Sequence, residues 1–276
     1  MNNPWLLAIR PKTLFASIGP VILGLSIAVL YSGQIKFLIA FLTLICALLL
    51  QISTNLVNDY FDAKTGVDSN KRLGPQRVTQ TGLIEAKQVK QIFTLTFALA
   101  FIIGLYLMIH GGLIIMIIGP LSIAFAYLYT GGPYPLSHYA LGELLALIFF
   151  GPVAVWGTYY LQTNSFELLP LIAGLGPGFI AAAIMSINNL RDNKSDKENK
   201  KITLAVIMGE KKGRLLTLSL ILASTIIPVI LFIYLKQPWV LLTVGVFYLF
   251  IKNWMYIING AINSNLNTVL ARTGMY

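Results

Sequence analysis

Every aspartate of this chain falls in one of two short clusters, and these are the residues whose types and spacing could do chemistry. The first cluster runs Asn55-Leu-Val-Asn58-Asp59-Tyr-Phe-Asp62 and is followed by Asp68; the second runs Asn188-Asn189-Leu-Arg191-Asp192 and is followed by Asp196. Each abuts a long apolar run and leads into a basic loop. In so apolar a chain an ionisable group is costly and is placed for a purpose. If the preceding helix continues to Asp62, then Asn55, Asn58, Asp59 and Asp62 are three and four residues apart and share a face. Asn188, Asp192 and Asp196 likewise step by four. Two carboxylates ~6 Å apart repel by roughly 3 kcal/mol at an effective dielectric near 20, so such a site calls for cations. Hard oxygen donors select magnesium, which takes one or two carboxylates and completes its shell with water and substrate phosphate. Lys64, Lys71, Arg72, Arg77, Lys194 and Lys201 in the same loops could contact a diphosphate directly. Metal and basic groups together would stabilise the charge building on a departing diphosphate. Glu85, Glu167, Glu198 and Glu210 are isolated in polar loops and are expected to be solvated surface charges.

Long apolar elements must position these residues. Hydrophobic residues make up 57% of the chain and charged residues 11%, with a mean hydropathy of +0.76, which excludes an ordinary soluble domain. A spanning helix needs about 20 mostly apolar residues. Eight segments qualify, near 14–31, 37–57, 91–110, 113–129, 141–161, 168–189, 215–235 and 238–258. They lack the period-2 alternation of barrel strands. The expected architecture is an all-α polytopic membrane protein, one domain over residues 1–276, with eight transmembrane helices around a central cavity.

A net charge of +10 is compatible with nucleic acid, but its distribution argues against that partner. With the amino terminus cytoplasmic, every Lys and Arg falls on the cytoplasmic side except Lys36, Lys236 and a snorkelling Lys252. That asymmetry places both aspartate clusters on the cytoplasmic face of the inner membrane. Cys46, the only cysteine, lies within an apolar segment, so an internal disulfide is excluded.

Asn58-Asp59-Tyr60-Phe61-Asp62 resembles the first aspartate-rich motif of the UbiA superfamily of intramembrane aromatic prenyltransferases, and Asp192-Asn-Lys-Ser-Asp196 resembles their second. The 1,4-dihydroxy-2-naphthoate polyprenyltransferases of menaquinone synthesis are the branch most similar. Arg10-Pro11-Lys12-Thr13-Leu14, Arg72-Leu-Gly-Pro75-Gln-Arg77-Val-Thr79-Gln80-Thr-Gly82-Leu83 and Tyr129-Thr-Gly-Gly-Pro133-Tyr134-Pro135 carry that likeness. So do Leu141-Gly142-Glu143, Asn188-Asn189-Leu190-Arg191-Asp192 and Thr203-Leu204-Ala205-Val206.

The resemblance implies that a polyprenyl diphosphate is bound through Mg²⁺, two ions bridging the diphosphate, and ionised at its allylic C–O bond. An aromatic ring, 1,4-dihydroxy-2-naphthoate in this branch, captures the carbocation and loses CO₂, giving demethylmenaquinone. It also implies that Asn58, Asp59, Asp62, Asp68, Asn188, Asp192 and Asp196 are metal ligands or their immediate support. The commoner superfamily pattern has an aspartate where this chain has Gly66, with Asp68 standing in as in the naphthoate branch. Asn188 stands where many relatives carry an acidic residue, which lowers the charge of the second cluster. Relatives carry a ninth helix that this chain, ending at Tyr276, is expected to lack.

Tyr127, Tyr129, Tyr134 and Tyr139 flank a Gly-Gly-Pro turn on the cytoplasmic side. They could either stabilise an allylic carbocation, at about 0.5–2 kcal/mol per aromatic face, or form an interfacial belt. Trp156, Tyr159 and Tyr160 are expected in the belt of the opposite face. Glycines in apolar segments, among them Gly151, Gly174 and Gly178, should permit close helix approach. Pro20, Pro120, Pro152, Pro177 and Pro228 should kink helices around a cavity. Two other functions fit less well. One is a related prenyltransferase using 4-hydroxybenzoate or homogentisate. The other is a cation transporter, whose ionisable groups belong near the bilayer midplane rather than at helix ends beside basic loops.

Overall fold

The computed structural model of the chain describes residues 3–65, 73–74 and 77–274. Among them ten α-helices follow one another: α1 (Pro4–Ile9), α2 (Pro11–Ser32), α3 (Phe37–Thr65), α4 (Ala86–Leu128), α5 (Gly142–Ile148), α6 (Ala154–Thr163), α7 (Leu168–Glu198), α8 (Leu204–Leu235), α9 (Leu242–Asn259) and α10 (Asn265–Thr273). A π-helical turn, Phe149–Val153, fuses α5 to α6. A single parallel bridge, Tyr139 to Ile202, is the β-pairing of the described residues. Within that set six helices or fused helices are long and apolar enough to cross a membrane.

The expected segments 91–110 and 113–129 both fall on α4, up to its cap at Tyr129, and α4 is not a straight rod. Phe97 and Tyr127 pack edge to face with ring centroids 6.4 Å apart. A straight helix rising ~1.5 Å per residue would hold them about 45 Å apart. The chain reverses at Gly112, whose φ of 66° and ψ of −156° suit glycine alone. Met108 then lies against Gly119, so the two arms run antiparallel. Similar breaks fall at Gly151 and Gly209. All five expected prolines lie inside helical segments, but these non-helical dihedrals are at glycines, and only Pro152 adjoins one.

α3 and α7 run past their expected ends, to Thr65 and Glu198, so both aspartate clusters are carried on helix. The helices ring a central hollow and meet in four apolar clusters. Leu56 and Val57 of α3 pack with Ala8, Val89 and Phe93 on one side. Ala183 and Ile187 of α7 pack with Ile221, Trp254, Ile257, Leu266 and Val269 on the other. Tyr159 joins α6 to α2 and α7, while Leu107, Met108 and Leu161 close the end of the hollow farthest from the aspartates.

In lipid these contacts rest on close van der Waals approach, so small residues matter most. A Cβ on Gly178 would lie 2.5 Å from the Leu147 carbonyl oxygen, and one on Gly174 2.8 Å from Pro152 Cα. The belt expected at 156–160 is corrected. Tyr159 is 0% exposed, with its hydroxyl 2.9 Å from Ser165 Oγ, and Trp156 is buried and stacked on Tyr160. α6 is enclosed by neighbouring helices, which its sequence could not reveal.

Candidate active site between two helix ends

One stripe of α3 lines the hollow: Thr43, Cys46, Ala47, Leu50, Gln51, Thr54, Asn55, Asn58 and Asp62. The steps of three and four keep these residues on one face, and the first and last stand about 28 Å apart along the helix axis. Polarity rises along the stripe, from Ala47 and Leu50 to Asn55, Asn58 and Asp62. The cavity, about 780 Å³, takes its polar end from Asn58, Asp62, Arg77, Asn188, Asn189, Arg191 and Lys201. The ends of α3 and α7 therefore open into one space. Asp192 and Asp196 are not part of that lining, and they reach it through Arg191 and Lys201, with which they pair.

In the first cluster Asp62 is paired with the Arg77 guanidinium, and Asn58 Oδ1 accepts from Thr130 Oγ1. Asp59 has a different task. It is 1% exposed, and its two oxygens accept from the backbone N–H groups of Val78, at 3.1 Å, and Thr79, at 2.9 Å. Those amides belong to a tight turn in which Thr81 N–H bonds Arg77 O, closed by Gly82 at φ +71°. A carboxylate over unpaired amides caps such a turn, and the turn carries Arg77 to Asp62. Asp59 thus braces the turn and is not part of the cavity lining.

In the second cluster Arg191, 2% exposed, is the hub. It forks onto Asp192 through Nε at 2.8 Å and Nη2 at 2.5 Å, and donates to Asn188 Oδ1 at 2.7 Å. Lys201 Nζ lies 3.4 Å from Asp196 Oδ1, and the Lys201 N–H bonds the Asp196 carbonyl at 2.8 Å. Asn189 donates to Glu143 Oε1 at 3.0 Å within the protein.

The basic residues divide. Arg77 and Lys201 line the cavity, whereas Lys64 and Lys194 are exposed and outside its lining. Lys71, Arg72 and Asp68 lie outside the described residues. The tyrosines divide too. Tyr129 lines the cavity, its hydroxyl 3.2 Å from Met185 Sδ. Burial first, then Glu143, Asp62 and Asp196, push the Tyr129 hydroxyl up from its ordinary pKa, so it stays neutral. Tyr127 instead packs against Phe61 and Phe97, and Tyr134 and Tyr139 are 73% and 52% exposed. Of the four tyrosines Tyr129 alone lines the cavity: Tyr127 points from α4 into the core, and the turn after α4 leaves Tyr134 and Tyr139 facing outward.

Among the described residues no three His, Cys, Asp or Glu side chains converge as a ready-made metal site. The oxygen donors that line the cavity are Asn58 and Asp62 from one cluster and Asn188 from the other, while Asp192 and Asp196 stand behind Arg191 and Lys201. So sparse a set suits a hard cation that completes its shell with substrate oxygens.

The UbiA prenyltransferase family pattern matches residues 17–264. The chain belongs to this family. "1,4-dihydroxy-2-naphthoate octaprenyltransferase" of Escherichia coli (strain K12) is 37% identical over 231 residues, covering 82% of this chain and 75% of the relative. The protein of the same name from Mycobacterium tuberculosis is 34% identical over 235 residues, covering 85% and 79%. A UbiA homolog from Archaeoglobus fulgidus bound to GPP and Mg²⁺ shares the fold, with a TM-score of 0.68 at 14% identity, covering 99% of this chain and 98% of that one. This UbiA protein is accordingly an integral membrane protein.

Its cavity also involves residues that sequence reasoning left without a role. Arg10 and Lys12 line the cavity mouth. Arg10 sits in the left-handed region, φ 55°, at the break between α1 and α2. Asn55 holds that break by donating to Ile9 O at 2.8 Å and Thr13 Oγ1 at 2.9 Å. An Arg-Pro-Lys at a helix start was the available signal, since proline favours the first turn. For Arg191 the signal was an arginine one residue from an aspartate at the end of an apolar run. Nothing local pointed to Thr130 or Asn267.

Proposed function

We propose that the chain transfers a polyprenyl group from polyprenyl diphosphate to 1,4-dihydroxy-2-naphthoate, in a bacterial cytoplasmic membrane with the polar end of the cavity facing the cytoplasm. The observation that supports this reading is one cavity with two chemistries. Asp62, the amides of both clusters, Arg77 and Arg191 meet at one end, and with the apolar bore beyond them the lining runs about 28 Å along α3, close to the thickness of a bilayer core. A diphosphate joined to a long apolar tail matches that division.

Asn58, Asp62, Asn188, Asp192 and Asp196 would hold magnesium, in two ions, with Asp59 bracing the first cluster. When bound, magnesium would neutralise diphosphate oxygens and stabilise the charge on the departing group. Arg77, Arg191 and Lys201 orient the diphosphate and share that charge. Arg77 and Arg191 are already held in place by carboxylates, so little reorganisation is required of them. The apolar bore aligns the tail and keeps water from the allylic carbon once the C–O bond has broken. Tyr129, neutral and close to the polar end, offers its ring face to the allylic cation. The ring carbon bearing the carboxylate forms the new C–C bond, CO₂ leaves, and demethylmenaquinone results in its reduced, quinol form. The acceptor comes from the relatives named above, and the donor from the shape of the site.

The test is Mg²⁺-dependent prenylation of dihydroxynaphthoate by purified Asp62→Ala and Asp192→Ala proteins, with product mass as the readout. Both should lose at least about a hundredfold in rate, ~2.7 kcal/mol of transition-state stabilisation. Full activity in either folded variant would sink the assignment of the site. Preference for 4-hydroxybenzoate or homogentisate in competition would keep the site and overturn the acceptor.

A further inference from the structure

We propose that Asn267, on α10, is a positioning residue that locks the two aspartate clusters into register and so sets the affinity for the diphosphate. Its Oδ1 accepts from Arg191 Nη1 at 2.7 Å, and its Nδ2 donates to the Leu73 carbonyl at 2.7 Å. Arg191 already serves Asp192 and Asn188 through Nε and Nη2, so Asn267 engages the remaining terminal nitrogen. Leu73 lies 194 residues away in sequence, between Lys71-Arg72 and Arg77. One amide therefore ties the loop after the first cluster to the arginine that orients the second.

The amide is chemically suited to this bridge, because it accepts on one side and donates on the other, whereas a carboxylate only accepts. α10 is a firm support for it. Leu266 and Val269 are buried against α7, α8 and α9, and Trp254 Nε1 bonds Thr273 Oγ1 at 3.3 Å. Asn267, Leu270 and Ala271 face the cavity from the same helix, so the bridge stands beside the diphosphate end. Without it, Asp192 keeps its arginine but the Leu73 carbonyl loses its tie to that arginine.

This inference rests on the clusters holding the diphosphate, and the experiment separates the two ideas. The full-length protein in detergent is assayed as wild type, Asn267→Ala, Asn267→Asp and Asp62→Asn. KM for prenyl diphosphate, KM for dihydroxynaphthoate, kcat and inhibition by inorganic pyrophosphate are measured, together with thermal stability. Asn267→Ala should raise the prenyl diphosphate KM and the pyrophosphate inhibition constant about tenfold, as expected for losing a charge-assisted hydrogen bond. The acceptor KM and kcat should stay within about twofold. Asn267→Asp keeps the acceptor for Arg191 but loses the donor to Leu73, and should show the same split; it serves as the readout if the alanine variant does not fold. Unchanged diphosphate constants in a folded variant would overturn the proposal. So would an acceptor KM and melting temperature that move as far as the diphosphate KM. If Asp62→Asn leaves pyrophosphate inhibition intact, the site reading itself fails. If Asp62→Asn weakens it and Asn267→Ala does not, only the role given to Asn267 fails.

Discussion

Arg191 satisfies four oxygen atoms on three residues with a single guanidinium: both of Asp192, one of Asn188 and one of Asn267. No other side chain offers five donors in a planar fork, and lysine presents a compact point charge instead. Arg191→Lys should therefore leave at least one of these partners unmet, in a setting where an unsatisfied charged group costs ~1–3 kcal/mol or more. The expected result is a loss of at least about thirtyfold in kcat/KM for prenyl diphosphate, ~2 kcal/mol. Lys194→Ala should change it less than about twofold, because Lys194 is exposed and outside the cavity lining. Steady-state kinetics on the two variants checks the contrast. Equal losses would mean that net positive charge, rather than the fork, is what the site uses.

The helix is the unit that turns these residues into a site. α3 carries a polarity gradient along one face, and α7 faces it because glycines let its backbone approach the turn between α5 and α6. Gly178, Gly174 and Gly151 meet backbone to backbone, and a Cβ on any of them would come within 3.0 Å of main-chain atoms. The main chain cannot step aside as a flexible side chain would, so Gly178→Ala should destabilise the protein by ~1–3 kcal/mol. Gly19→Ala is the matched control, since nothing lies within 4 Å of its Cβ position. Thermal unfolding in detergent should show the first well below wild type and the second close to it. A Gly178→Ala protein as stable as Gly19→Ala would mean that α7 is free to shift outward.

At the scale of the whole molecule, four apolar clusters hold the helices apart around the bore that they line. A bore needs continuous packing on its outer side only, which explains a large cavity in a tightly helical protein. Ala47, on the cavity face of α3 between Cys46 and Leu50, lies well down that bore from Asp62. Ala47→Phe should obstruct a long tail and spare a short one. The expected outcome is a loss of at least about tenfold in kcat/KM for an octaprenyl-length diphosphate, with dimethylallyl diphosphate changed less than about threefold. Equal effects on both lengths would show that the tail leaves the cavity before reaching Ala47.

Local signals were enough to single out the fold class and the candidate site. The apolar run lengths, the positive-inside bias and the paired Asn/Asp clusters are properties of neighbouring residues, so the sequence by itself determined a helical membrane protein with two acidic helix ends. Spacing also placed Asn58 and Asp62 on one face, as observed. The same spacing grouped Asp59 with Asp62, although three residues on a helix differ by roughly 60° in direction. That angle suffices to send Asp59 to the Val78 and Thr79 amides and Asp62 into the cavity. Tyr127 and Tyr129 separate for a similar reason, as the chain leaves α4. Only the tertiary structure decided that Arg191 is a hub and Asn267 a bridge. Their partners lie up to 194 residues away, and no pattern within a helix encodes which distant backbone will arrive.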